Sequence, residues 1–155
     1  MLFFRSSLGY CLLLLAIGCS TGQPAKTDAS MTSPVPSAPW SLTYHDGSGN
    51  GFRFWQEAAQ DSVHFTYTPI TPATSSSGTY SGGSPNEGTL TDEQVADLWQ
   101  NVRQLETDVS LHVDSRMMGT GTFRVETAAG LRQFMVKRGA ALRGFDEIVA
   151  PFRGE

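Results

Sequence analysis

Trp40-Ser41-Leu42-Thr43-Tyr44-His45, then Asp46-Gly47-Ser48-Gly49-Asn50-Gly51, then Phe52-Arg53-Phe54-Trp55 is the stretch that decides the fold. Trp40, Leu42 and Tyr44 alternate with Ser41, Thr43 and His45, the period-two pattern of a strand with one face in a core. Three glycines and Asn50 supply the positive φ values that a hairpin loop needs, so the chain reverses between the two apolar runs. The returning strand places Phe52 and Phe54 on the same core face. A further turn falls near Gln60-Asp61, and Val63, Phe65 and Tyr67 alternate with His64, Thr66 and Thr68 in a third strand. The three strands form an up-down-up meander.

Residues 69–89 then run Pro69-Ile70-Thr71-Pro72 and Ser75-Ser76-Ser77-Gly78-Thr79-Tyr80-Ser81-Gly82-Gly83-Ser84-Pro85. Connections in compact domains are usually about four to six residues long, and much longer ones are either functional or disordered. In a meander the first turn and the exit of the third strand lie at one end, so this loop and the turn at 47–51 are expected to be neighbours. Trp40 is expected at the opposite end.

Thr91 is placed as a helix N-cap, with Gln94 completing a capping box and Leu90 and Val95 in the staple positions. Val95, Leu98, Trp99, Val102 and Leu105 fall on one helical face, which predicts a helix over 91–105. Residues 106–121 carry no clear period. Thr122 to Thr127 and Leu131 to Val136 form a second hairpin around Ala128-Ala129-Gly130. Leu142, Phe145, Val149 and Phe152 make the stripe of a last helix ended by Pro151. The expected order is βββαββα. It implies an α+β domain, an antiparallel sheet of about five strands with both helices on one face, because that arrangement buries every apolar stripe.

Upstream of Trp40 the composition changes. Residues 20–39 are mostly Ser, Thr, Pro, Ala and Gly, with Pro24, Pro34, Pro36 and Pro39 and almost no bulky apolar side chain. Such a segment buries too little surface to offset chain entropy and is expected to be a tether. Fully extended, at about 3.1 Å per residue, it reaches on the order of 60 Å. Before it, Arg5 precedes an apolar run over 8–17, too short for a membrane-spanning helix of about 20 residues. Leu15-Ala16-Ile17-Gly18-Cys19 closes that run.

These residues resemble the lipobox of bacterial lipoproteins, with Ala16 where leucine is usual. The resemblance implies a signal peptide over 1–18, an acylated Cys19 as the new N-terminus, and a tether over 19–39 leading to a domain over 40–155. Several acyl chains at about 0.8 kcal/mol per buried CH₂ exceed what stable anchoring needs. Ser20 stands where lipoproteins retained in the inner membrane carry Asp, which implies an outer-membrane location, or the cell membrane in a Gram-positive host.

The two cysteines are Cys11 and Cys19, so the domain has no thiol for a disulfide, a metal or a nucleophile. The chain carries a net charge of −4, and losing Arg5 with the leader makes it one unit more acidic. A mildly acidic domain without a basic cluster argues against nucleic acid as a partner. His45 with Asp46, His64, and His112 with Asp114 are the candidates for metal or acid–base chemistry. Their spacing matches no HExxH-type set, and there is no Gly-x-Ser-x-Gly elbow. The expectation is a domain with no catalytic set, metal or cofactor. Its alternatives are a metal-dependent periplasmic hydrolase and a purely structural envelope lipoprotein.

The order of a Gly-rich first hairpin, a helix from Leu90-Thr91, a second hairpin and a closing helix is similar to the emfourin domain, a small bacterial inhibitor of thermolysin-like metalloproteases. Gly47-Ser48-Gly49-Asn50-Gly51-Phe52 stands where that family has a Ser-Gly-Gly-Phe-type turn. The similarity covers residues 40–153 by layout, and the inserted loop at 69–89 departs from it. It implies a binding module, with a secreted protease as the kind of partner. Independently of that resemblance, Gly47, Gly49, Asn50, Gly51, Tyr80, Gly82 and Gly83 are the candidate binding residues, because Gly- and Ser-rich loops with tyrosine suit adaptable recognition.

Overall fold

The computed structural model describes residues 35 to 154. Cys19 and the signal peptide expected over 1–18 lie outside the described residues. Strand β1 (Trp40–His45) pairs with β2 (Gly51–Gln56), β2 with β3 (Val63–Thr68), and β3 with β4 (Asn86–Leu90), all antiparallel. Helix α1 (Asp92–Thr107) leads through a short 3-10 turn (Val109–Leu111) to β5 (Gly121–Thr127) and β6 (Gly130–Val136), which add to the other side of β1. Helix α2 (Ala140–Val149) closes the chain with a second 3-10 turn (Ala150–Phe152). The sheet has six strands in the order β4-β3-β2-β1-β5-β6.

The α+β class stands, with six strands rather than the five expected from periodicity. The extra strand is β4, inside the stretch read as one long loop. Glu87, Gly88 and Thr89 are exposed, so no apolar alternation marks it. It forms by backbone pairing at the sheet edge, and the Phe65 ring covers it where a Cβ at Gly88 would stand 2.9 Å from Phe65 Cε1. Val35, in the segment read as tether, packs against the core.

The register puts Leu42 opposite Phe54 and Val125, and Tyr44 opposite Phe52 and Phe123, so one face of the sheet is continuous in large apolar side chains. Both helices meet that face. Trp99 of α1 stands edge-on to Trp40 with centroids 4.9 Å apart, and Phe145 of α2 stands edge-on to Tyr44 and Phe123. Phe152 fills the space over Phe54 and Phe65. It does so from the 3-10 turn rather than from the helix, because Pro151 cannot donate an α-helical hydrogen bond and the chain tightens around it.

Helix α1 starts as its capping box dictates: Gln94 N donates to Thr91 Oγ1 at 3.3 Å and Thr91 N to Gln94 Oε1 at 2.9 Å. Residues 108–113, which carried no period, are held by polar bonds. Asp108 Oδ1 accepts from Ser110 N and Oγ, Val113 N donates to Met135 O, and Lys137 N donates to Leu111 O, so this segment borders β6. No helix among the described residues is long and apolar enough to cross a membrane.

Trp99 is fully buried, and its Nε1 has no hydrogen-bond acceptor among the described residues. Trp99→Ala should therefore cost about 3–5 kcal/mol, whereas Trp99→Phe, which keeps much of the packing and removes the orphan donor, should cost clearly less. Thr91→Ala should cost about 1 kcal/mol through the lost cap. Urea denaturation of the 35–155 segment measures all three, and equal losses for both Trp99 variants would contradict this packing.

Candidate functional site

At the end of the sheet away from Trp40, the first turn and the long loop are joined through Asp46 and Asn50. The Asp46 carboxylate is 5% exposed. Its Oδ1 accepts from the amides of Ser48 and Asn50, both at 2.9 Å, and its Oδ2 from Asn50 Nδ2 at 2.7 Å. Asp46 N donates to Asn50 O at 3.0 Å and Gly49 N to Asp46 O at 2.9 Å, closing the turn; Gly49 takes φ +94°, which a side chain would resist. A carboxylate accepting backbone N–H groups in this way is the usual device by which an Asx residue fastens a tight turn.

Asn50 is fully buried and reaches across to the other loop. Its Oδ1 accepts from Ile70 N at 2.9 Å, and its Nδ2 also donates to Tyr80 Oη at 2.9 Å. The loop is further held by Gly82 N to Ile70 O at 2.8 Å and by Tyr67 Oη to Gly82 O at 2.5 Å. A Cβ at Gly82 would stand 2.0 Å from Asn50 Oδ1, so only glycine lets the chain approach. The predicted meeting of turn and loop is therefore real, but the loop is pinned at its root rather than free. Its tip, from Thr71 to Tyr80, is organised by local turns.

These contacts divide the seven candidate binding residues. Asn50 is sealed from solvent and is a fastener, which removes it from any recognition surface. Gly82 backs onto Asn50, Gly47 onto Gly119, Gly83 onto the Gly154 carbonyl, and Gly51 onto the His45 ring. Tyr80 is 37% exposed and, with Ser48 and the edge of Gly49, faces solvent.

Beside them opens a cleft of about 370 Å³ that reasoning along the sequence did not foresee. Its walls include Arg138 just before α2, Arg143 and Asp146 within it, and Arg153 after it. Arg153 Nη2 pairs with Asp46 Oδ2 at 3.2 Å, and its guanidinium lies over the Phe52 ring. The Tyr44 hydroxyl donates to Asp146 Oδ1 at 2.6 Å. Burial, followed by the neighbouring Asp46 charge, holds the Asp146 carboxyl above its ordinary value; the Tyr44 bond and Arg153 oppose that shift. Burial and the Asp146 carboxylate together push the Tyr44 phenol far above its ordinary range. The signal available in the sequence was small: Arg138-Gly139 precedes a helix whose N-cap has no capping side chain.

The histidines are dispersed. His45 ends β1, where burial and the Arg116 charge lower its basicity. His64 stacks on Trp55 and shares a hydrogen bond with Gln60. His112 Nε2 donates to the Leu105 carbonyl at 2.9 Å and its ring stacks on Phe134. Among the described residues no group of three or more His, Cys, Asp or Glu is placed to hold a metal ion. Asp92 and Glu93 sit in the first turn of α1, where carboxylates favour the helix dipole. The face of the sheet opposite the helices carries Arg53 over Trp55 and a shallow hollow of about 440 Å³ between them and Glu126.

Comparison with known proteins leaves this geometry to stand on its own: no family model, no curated protein and no solved structure matches the chain.

Asn50→Ala deletes the link between the loops and leaves the Ile70 amide unpaired, a loss of about 1–3 kcal/mol for a buried group. Hydrogen exchange should report faster exchange at Ile70 with β5 and β6 unchanged; unaltered Ile70 protection would mean that other bonds hold the loop. Asp146 generates a second expectation. Because its folded-state value lies above the ordinary 3.8, its contribution to stability is complete below that pH and is lost as pH rises through the raised value. Asp146→Asn, whose carboxamide oxygen still accepts from Tyr44, should flatten this part of the stability–pH curve and be at least as stable as the parent at neutral pH. Denaturant titrations across pH check it; a constant deficit at every pH would contradict the assignment.

Proposed function

We propose that this chain is an envelope lipoprotein, acylated at Cys19 and anchored on the outer membrane, whose α+β domain is a non-enzymatic binding module. The leader resemblance supplies the anchor, and the Pro- and Ser-rich stretch between Cys19 and the domain supplies the tether. The domain presents its recognition surface at the end of the sheet away from Trp40. The observation that carries this reading is the buried Asn50 carboxamide, which ties the first turn to the long loop at the far end of β1 from Trp40. A recognition loop fixed at its root gives up less conformational entropy when a partner docks.

That property suits a protease-inhibitor-like module, and a secreted protease is the kind of partner this reading favours. The loop tip at 71–79 and Tyr80 would make the contact.

Two measurements test it together. Cells fed a radioactive fatty acid should label the parent chain and not Cys19→Ala. Captured envelope partners should be retained by the parent and lost when residues 72–78 are replaced by a tight linker, with stability little changed, since halving a loop alters closure by only about 0.6 kcal/mol. Equal labelling of both chains would remove the anchor, and equal capture would remove the loop surface.

A further inference from the structure

The basic side chains of the described residues are unevenly engaged. Arg124, Arg132 and Arg153 pair with Glu126, Glu106 and Asp46, and Lys137 Nζ donates to the Ser110 carbonyl. Arg138 and Arg143 make no ion pair or side-chain hydrogen bond among the described residues, yet both line the cleft beside Tyr80. In a chain of net charge −4, two uncommitted guanidinium groups on one wall are a local reversal of sign.

The cleft's own carboxylates cancel them only in part: Arg153 matches Asp46, and Asp146 alone stands against the two remaining arginines. Asp46 is occupied by three hydrogen bonds from the first turn and by Arg153. Asp146 accepts the Tyr44 hydroxyl at 2.6 Å. The stem of Arg138 lies across Gly119, where a built Cβ would meet its Cδ at 3.0 Å. Leu142 and the almost fully exposed Met118 add an apolar border. A methionine at 94% exposure beside two unpaired arginines suits a ligand with a charged end and a short apolar stem.

We propose that this cleft takes an acidic side chain from a protein partner, with its carboxylate held between Arg138 and Arg143 and its methylene stem covered by Met118. The proposal rests on the reading of this end of the domain as the recognition surface and names the chemistry of what docks there. Arginine's planar fork matches a carboxylate two bonds at a time, which makes such a contact selective as well as attractive. An extended nucleic acid requires a longer basic track than this short cleft offers.

The test uses the full chain in a non-ionic detergent and a short fluorescein-labelled peptide of alternating glutamate and serine, read by anisotropy. The glutamate peptide should bind and its glutamine counterpart should not. Arg138→Gln with Arg143→Gln should weaken binding about tenfold or more, the equivalent of one charge-assisted contact. Arg53→Gln with Arg103→Gln, two other arginines lacking a carboxylate partner, should leave it unchanged. Absence of glutamate-peptide binding, equal binding of the glutamine peptide, or equal loss in the Arg53 and Arg103 pair would overturn the proposal, the last by showing diffuse charge attraction. Better competition by inorganic phosphate than by free glutamate would also overturn it, in favour of a phosphorylated ligand. If the Arg138 and Arg143 pair keeps its envelope partner while the loop-shortened chain loses it, the carboxylate assignment falls and the loop surface stands. The reverse pattern keeps the cleft and removes the loops.

Discussion

The carboxylate of Asp46 binds together three parts of the chain that are distant in sequence. It closes the first turn through the amides of Ser48 and Asn50, orients the Asn50 side chain, and receives Arg153 from the C-terminal end. Asn50 then passes the constraint on to Ile70 and Tyr80. A buried carboxylate is tolerated only when its lone pairs are filled, and withdrawing a partner leaves acceptor capacity unmet in a place with little water. The rigidity of the whole loop end follows from that condition. The turn cannot relax without stranding Asp46, and the long loop cannot lift away without stranding Asn50.

Around this polar knot the remainder of the domain is held by non-directional burial. Tyr44 links the two regimes: its ring packs against Phe52, Phe123 and Phe145, while its hydroxyl leaves the core to reach Asp146. The same strand thus carries the aromatic core and reaches the cleft through the Tyr44 bond to Asp146 and through Asp46 just past its end. Because β1 lies between β2 and β5 in the sheet, its side chains are positioned from both sides. A cleft built on the end of such a strand inherits the order of the core, which is what a recognition site with few contacts requires.

Much of the fold was legible because the code for it is local. The alternation of Trp40, Leu42 and Tyr44, the Gly-rich reversal, the Thr91–Gln94 box and the Leu142–Phe145–Val149 stripe each specify geometry within a few residues, and each element formed where its pattern lay. The juxtaposition of turn and loop was also legible, since strand direction alone dictates which connections share an end. What misled was composition. Gly82 and Gly83 look like flexible loop residues, yet Gly82 is present because Asn50 leaves no room for a Cβ. Asn50 looks like a solvent-facing turn residue, yet it is buried and bonded to both loops.

By itself the sequence determined the composition break before Trp40, the two hairpins and the capped helix, because periodicity, caps and turn residues act through neighbours in the chain. Tertiary structure alone decided that residues 86–90 are a sixth strand. An edge strand is held by backbone hydrogen bonds, which every residue type except proline supplies, so nothing in Asn86-Glu87-Gly88-Thr89-Leu90 announces it. Tertiary structure also decided that Arg138, Arg143, Asp146 and Arg153 surround one cleft with Asp46 and Tyr80. Charges interact through space across a folded surface, and separations of tens of residues along the chain carry no trace of which of them will meet.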